Sequence, residues 1–202
     1  MQNLIFLGDS ITQALGTPEN ARWTAVVGRR LEAVAPERYE VWNRGIGGDT
    51  TALVLDRLAR DVLPLLPATV VIELGINDAY VFPWRRTSRV SLAEFTHNYG
   101  ELVSLITEPG GRVILIVNHE ITEPSHEQGN QRPIRDNLAP YQEVIRALGR
   151  QHGFPLIDLP QIQAAQGIPA EALLSEDGIH LTSAGNRRYG ELVADALIPL
   201  LA

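Results

Sequence analysis

Two short apolar runs in this chain stop in the same way, and that pattern limits the fold more than any other feature. Residues 4–7 (LIFL) stop at Gly8-Asp9-Ser10, and residues 69–74 (TVVIEL) stop at Gly75-Ile76-Asn77-Asp78. A run of apolar and β-branched residues this short suits a strand covered on both faces. Glycine followed by polar residues marks its exit. Further strands are expected at residues 39–42, 112–117 and 155–158. Helical spacing appears around Trp23, Val26, Val27, Leu31 and Val34, around Leu53, Leu55, Leu58 and Val62, over residues 92–106, around Tyr141, Val144, Ile145 and Leu148, and over residues 183–197. Residues 159–174 read as less regular. Strands alternating with helices imply right-handed βαβ units. The expected class is therefore α/β, a three-layer α/β/α sandwich whose five-stranded, mainly parallel sheet has flavodoxin-like order. No composition shift or internal repeat divides the chain, so residues 1–202 are expected to form one domain.

Such a sheet puts ligand crevices at the carboxyl ends of its strands, where Ser10 stands. Taken alone, Ser10 reads best as a helix N-cap, with a phosphate contact or a nucleophile as the other possibilities. Charge argues against phosphate-rich partners: 17 basic against 24 acidic residues give a net charge of -7, which repels a nucleic-acid backbone. The absence of cysteine excludes disulfides, thiolate metal sites and cysteine nucleophiles. No apolar run approaches membrane-spanning length, and the first strand starts almost at Met1, so the expectation is a cytoplasmic protein with no signal peptide.

Four loops carry chemistry: Gly8-Asp9-Ser10, Gly47-Gly48-Asp49, Gly75-Ile76-Asn77-Asp78 and Asp177-Gly178-Ile179-His180. The first three follow successive parallel strands and so share one edge of the sheet. Ester hydrolysis needs a nucleophile, a base, a group that orients the base, and donors for the oxyanion. Ser10 can attack, His180 can accept its proton, and Asp177, three residues earlier, can turn back to hold the imidazole. The backbone N–H groups of Ser10 and Gly48 and the side-chain amide of Asn77 can serve as donors. Asp9 and Asp49 read as structural residues of the loops.

The blocks GDSIT, GGDT, GIND and DGIH, in this order over nearly the whole chain, resemble those of the SGNH, or GDSL, hydrolases. The resemblance implies a serine esterase with Ser10 as nucleophile, Asp177 and His180 completing the triad, and an oxyanion hole from Ser10, Gly48 and Asn77, with no cofactor or metal. Ile76 stands where many members carry a second glycine, a change expected to alter packing rather than chemistry. Thr12 breaks the G-x-S-x-G pattern of the α/β-hydrolases. The partner implied is a small-molecule ester, with short acyl chains preferred because no large apolar lid is present. Carbohydrate O-acetyl esters, and lysophospholipids or thioesters, are the alternatives within the same mechanism. A non-catalytic small-ligand binding module is the alternative outside it.

Other features carry weaker signals. Gly45-Ile-Gly47-Gly-Asp-Thr50 approximates a dinucleotide fingerprint but has Thr50 at the third glycine. His119, Glu120, Glu123 and His126 lack the spacing of a metal motif and read as a structural or substrate-facing loop. Residues 79–90 hold Tyr80, Phe82, Trp84, Arg85 and Arg86 directly after Asn77. This loop reads either as a pocket wall, with Tyr80, Trp84 and Arg85 touching substrate, or as an exposed or dimer-forming surface. Arg85 or Arg86 would then read an anionic leaving group. In the family that the chain resembles, the corresponding loop looks like a specificity element.

Overall fold

The computed structural model describes residues 1–122 and 128–201. In chain order the elements are β1 (Gln2–Gly8), α1 (Ser10–Gln13), α2 (Trp23–Val34), β2 (Tyr39–Gly45), α3 (Thr51–Asp61), β3 (Ala68–Glu73), α4 (Ile76–Ala79), α5 (Leu92–Thr107), β4 (Arg112–Val117), α6 (Ile134–His152), β5 (Leu156–Asp158), α7 (Leu159–Gln166) and α8 (Ser183–Leu197). The five strands pair in parallel in the order β2-β1-β3-β4-β5, as the alternating pattern predicts. Helices α2 and α8 pack together on one face, and α3, α5 and α6 on the other.

Burial explains the apolar runs. Leu4, Ile5, Phe6 and Leu7 of β1, Val70 to Ile72 of β3 and Val113 to Val117 of β4 are all buried, because helices cover both faces of a parallel sheet. Trp23 is enclosed between Phe6 and Tyr189, with ring centroids 4.8 Å and 5.2 Å away. Its indole N–H donates to the Ile11 carbonyl at 2.8 Å, so a core residue of α2 also fixes the turn that carries Ser10.

The structure adds three short helices to the sequence reading. Helices α1 and α4 are single turns at the exits of β1 and β3, too short to show periodicity. Helix α7 occupies the stretch read as irregular. Asp158 caps it by accepting from the Gln161 N–H at 3.3 Å, and Gly167 ends it with a left-handed φ of 64°. Its apolar pattern is faint because Gln163, a polar residue, fills one of its buried positions. The side chain of Gln163 accepts from the Glu120 N–H at 3.2 Å.

Helix α6 contains Pro140, whose ring removes one hydrogen bond from the helix interior. Ile134, Leu138, Tyr141 and Ile145 nevertheless form one buried stripe along it. Burying such side chains contributes about 1.5–3 kcal/mol each, enough to offset that loss.

Two glycines let the strand exits crowd together. A Cβ on Gly8 would overlap the Thr12 hydroxyl and the Glu73 carbonyl, and one on Gly45 would overlap the backbone of Thr12 and Gln13. β2 therefore lies directly against α1. Replacing Gly45 with alanine should cost at least about 2 kcal/mol of unfolding free energy, because backbone on both sides must move. The check is a urea titration, with an unchanged slope and a lowered midpoint expected.

Candidate active site

The nucleophile candidate is positioned by its neighbour. Asp9 caps α1 by accepting from the Ile11 N–H at 2.9 Å, which places Ser10 at the start of the turn. The last of the four loops approaches from the other end of the chain. It is held by an antiparallel bridge between Leu174 and Leu181 and by a 2.7 Å hydrogen bond from the Ser175 N–H to the His180 carbonyl. His180 Nε2 lies 2.9 Å from Ser10 Oγ, and His180 Nδ1 lies 2.5 Å from Asp177 Oδ2. The other oxygen of Asp177 accepts from the Ser175 hydroxyl at 2.8 Å and from the Ile179 and His180 N–H groups, each at 2.9 Å. Partial burial pushes the Asp177 carboxyl up, but the hydrogen bonds from His180, Ile179 and Ser175 outweigh it and hold the group well below the ordinary aspartate value. A carboxylate fixed in its ionised form orients the imidazole with Nδ1–H toward it and Nε2 toward the serine.

The donor candidates come from two other loops. Gly48 has a φ of 84°, a conformation that side chains disfavour. Gly47 lies against the Ser10 side chain, and its N–H donates to the Gln13 side chain at 2.9 Å. Asn77 donates through Nδ2 to Asp9 Oδ2 at 3.0 Å. Among the described residues no acceptor takes the Gly48 N–H. The four loops thus meet in space, and their hydroxyl, imidazole, carboxylate and unpaired N–H groups are the parts that acyl transfer uses.

Comparison with known proteins agrees in sequence and in shape. Residues 6–188 match the GDSL-like Lipase/Acylhydrolase family. The chain belongs to that family. Esterase TesA of Pseudomonas aeruginosa is 30% identical over 205 residues, covering 99% of this chain and 90% of that protein. An acetylxylan esterase of Geobacillus stearothermophilus is 30% identical over 207 residues, covering 92% and 89%. The crystal structure of a lipase/acylhydrolase from Enterococcus faecalis superposes with a TM-score of 0.79 at 27% identity, covering 99% of this chain and 97% of that one. The protein is a carboxylic ester hydrolase of the GDSL type.

Beyond the structural reading of Asp9, no sequence pattern marks the layer beneath this GDSL site. Three carboxyls are sealed there. Burial, and then the charge of Glu73, push Asp9 well above the ordinary aspartate value. Burial raises Glu73 to about 7, against hydrogen bonds from the Asn118 amide at 2.5 Å and the Thr12 hydroxyl at 3.0 Å. Burial raises Asp78 to about 6, although it accepts from the Thr51 N–H and hydroxyl. Asp49 is a structural residue, as expected, paired with buried Arg57 at 2.7 Å. Ile76 is buried, in line with a packing role.

The histidine cluster divides. Glu123 and His126 lie outside the described residues. His119 is buried, and burial holds it down at about 4, so it is neutral. A neutral ring can donate Nε2–H to the Ile179 carbonyl, 2.9 Å away, which steadies the loop beside His180. Among the described residues no three His, Asp or Glu side chains are grouped so as to hold a metal.

In the loop after Asn77, Tyr80 is partly buried against Phe82, Trp84 is 78% exposed, and Arg85 is exposed. Trp84 stacks on Phe82 at 4.9 Å with ring planes 6° apart. Arg86 donates to the Gly129 carbonyl and so has a structural tie as well. The residue of this loop that sequence reasoning missed is Arg89, which reaches both Asn77 and Gly48.

A raised carboxyl pKa destabilises the folded state as pH rises. Between the unfolded glutamate value and about 7 the folded protein holds a proton on Glu73 that the unfolded chain has lost, and above 7 the full cost remains. Glu73→Gln keeps the shape without the charge. It should be near neutral at pH 4 and more stable than wild type by on the order of 3 kcal/mol at pH 8. Urea unfolding of both proteins across that range is the test, and a gain independent of pH would contradict the burial of an ionisable Glu73.

Proposed function

We propose that the protein hydrolyses esters of short-chain acids through an acyl-enzyme on Ser10, the 202 residues acting as one domain. The observation that carries the reading is the hydrogen-bonded chain from Ser10 Oγ through His180 to Asp177, with links of 2.9 and 2.5 Å. In this mechanism Ser10 Oγ bonds to the ester carbon while its proton passes to His180 Nε2. The negative charge on the former carbonyl oxygen is held by the N–H groups of Ser10 and Gly48 and by the Asn77 amide. The bond to the alcohol oxygen then breaks, and His180 returns the proton to it. Water repeats the two steps and releases the acid.

The short-acyl preference is supported by the recess at the serine. It is lined by Ser10, Ile11, Ala14, Leu15, His180 and Leu181, among others, and holds about 60 Å3. A recess this small favours an acetyl-sized group over a fatty chain. A groove of about 330 Å3 lies on the Arg89 side, walled by Leu53, Phe82, Trp84 and Arg85. Tyr80, Trp84 and Arg85 are the residues we assign to substrate binding.

The flat, exposed face of Trp84, with Arg85 and Glu94 on the same groove, favours a second reading in which the alcohol is a sugar. An aromatic face with hydrogen-bonding groups at its edge suits a polyol ring. The acetylxylan esterase among the relatives is consistent with this.

Hydrolysis of p-nitrophenyl esters from acetate to long acyl chains tests the reading. Turnover should be greatest for acetate and fall with chain length, and Ser10→Ala should lower kcat by about six orders of magnitude. Activity retained in Ser10→Ala would refute the mechanism. Asn77→Ala should reduce kcat by roughly a hundredfold to a thousandfold at nearly constant KM. Trp84→Ala should raise KM for an acetylated xylose and leave p-nitrophenyl acetate unchanged if the alcohol is a sugar. Equal effects on both substrates would remove the second reading.

A further inference from the structure

Arg89 stands outside all four sequence blocks, yet its side chain joins two of them. Nη1 donates to Asn77 Oδ1 at 3.2 Å, and Nη2 donates to the Gly48 carbonyl at 2.9 Å. One guanidinium therefore holds both non-serine donors proposed for the oxyanion, which come from loops after different strands.

The chemistry of the contact is one-directional. A guanidinium has donors and no acceptor, so only the carbonyl side of the Asn77 amide can face it. The NH2 side must then turn away. One of its hydrogens goes to Asp9 Oδ2 at 3.0 Å, and the other has no acceptor among the described residues. If the amide were flipped, NH2 would face the cation and the bond to Arg89 would be lost, as would the bond to an ionised Asp9. The positive charge beside Oδ1 also polarises the amide and makes its N–H a better donor. At Gly48 the grip on the carbonyl fixes a residue whose φ of 84° no side chain constrains.

The cation is itself held in place. Its Cζ lies 5.4 Å from the centre of the Phe82 ring, on which Trp84 stacks. Aromatic cover of this kind attracts a guanidinium and keeps water from competing for its hydrogen bonds. The Arg89 backbone N–H donates to the Tyr80 carbonyl at 3.0 Å, which closes the loop on itself and sets the direction of the side chain.

We propose that Arg89 is a positioning residue that sets the amide orientation of Asn77 and the Gly48 peptide together, and so preorganises the oxyanion site by acting through those two groups. This rests on the ester-hydrolase reading of the same site. Preorganised donors act at the transition state and not on ground-state binding, so the loss should appear in kcat.

The test compares wild type, Arg89→Met, Arg89→Lys, Asn77→Ala and the Arg89→Met/Asn77→Ala double variant. It uses p-nitrophenyl acetate turnover and the rate at which a fluorophosphonate labels the serine, whose phosphoryl oxygen needs the same donors. Arg89→Met should lower kcat and the labelling rate by about 10- to 100-fold with KM within about twofold. Arg89→Lys, a cation without the fork, should fall between. In the Asn77→Ala background the Arg89→Met loss should shrink to a small factor, because two residues acting through one group are not additive. Wild-type rates in Arg89→Met, a change confined to KM, or losses that multiply fully in the double variant would each overturn the proposal. If Arg89→Met does not fold, the same comparisons with Arg89→Lys decide it. Labelling that does not depend on Ser10 would refute the reading of the site itself. Ser10-dependent labelling unaffected by Arg89→Met would refute the positioning role alone.

Discussion

The arrangement of loops depends on one sealed carboxyl. Glu73 ends β3, the central strand of the sheet, and is buried with its two oxygens taken by Thr12 and Asn118. Thr12 belongs to the turn that carries Ser10, and Asn118 begins the loop after β4. A single side chain thus joins the exits of three adjacent strands where no backbone ladder continues. A buried polar group with all its hydrogen bonds made is specific in a way that an apolar contact is not, since each partner must arrive in one geometry. The cost appears in its raised pKa, which reflects the burial that makes the joint rigid.

The same device recurs outward from Glu73. Asp9 receives the Asn77 amide, Arg57 donates to the Gly8 and Arg44 carbonyls while pairing with Asp49, and Arg89 holds Gly48. In each case a side chain from one loop satisfies the backbone or amide of another. Loops have few repeated hydrogen bonds of their own, so such crossed contacts decide their shape. Helix α1 is only four residues long, too short to be stable alone. Its geometry is imposed by the Asp9 cap, the Trp23 indole and the close approach of Gly45. The serine's position is therefore a consequence of tertiary contacts more than of helix propensity.

This separates what the sequence could reveal from what it could not. Strand runs such as LIFL and TVVIEL are legible because burial on both faces imposes one residue type over consecutive positions. Parallel pairing follows from alternation with helices, while the order of the strands is set by the crossovers that the structure shows. Ser10, Gly48 and Asn77 stand out because glycine and polar residues cluster at strand exits, and Asp177 and His180 because the DGIH block stands just before the last helix. Glu73 stands inside an apolar run and offers no pattern, since its partners lie 61 and 45 residues away. His119 sits in a polar stretch that suggests solvent or metal, and only the fold shows its burial under Ile179. Arg89 is one of three arginines in its loop. Nothing local distinguishes it from exposed Arg85 or from Arg86, which binds a different carbonyl. Long-range polar pairing has no period, and a reading based on period misses it.

Stability and site geometry pull in opposite directions here. Asp9, Glu73 and Asp78 are carboxyls whose burial opposes their ionisation, so near neutral pH they subtract from folding free energy. An apolar cluster of the same volume would fold more stably and would leave Asn77 without the acceptor that shares its amide with Arg89. The remaining core, with three strands of buried aliphatic residues and the Phe6-Trp23-Tyr189 stack, can offset that loss. A sheet rigid on its own supplies the stability. The loops at its carboxyl edge are then free to carry costly polar contacts, and those contacts, more than the apolar packing, hold the groups of the candidate site at hydrogen-bonding distance.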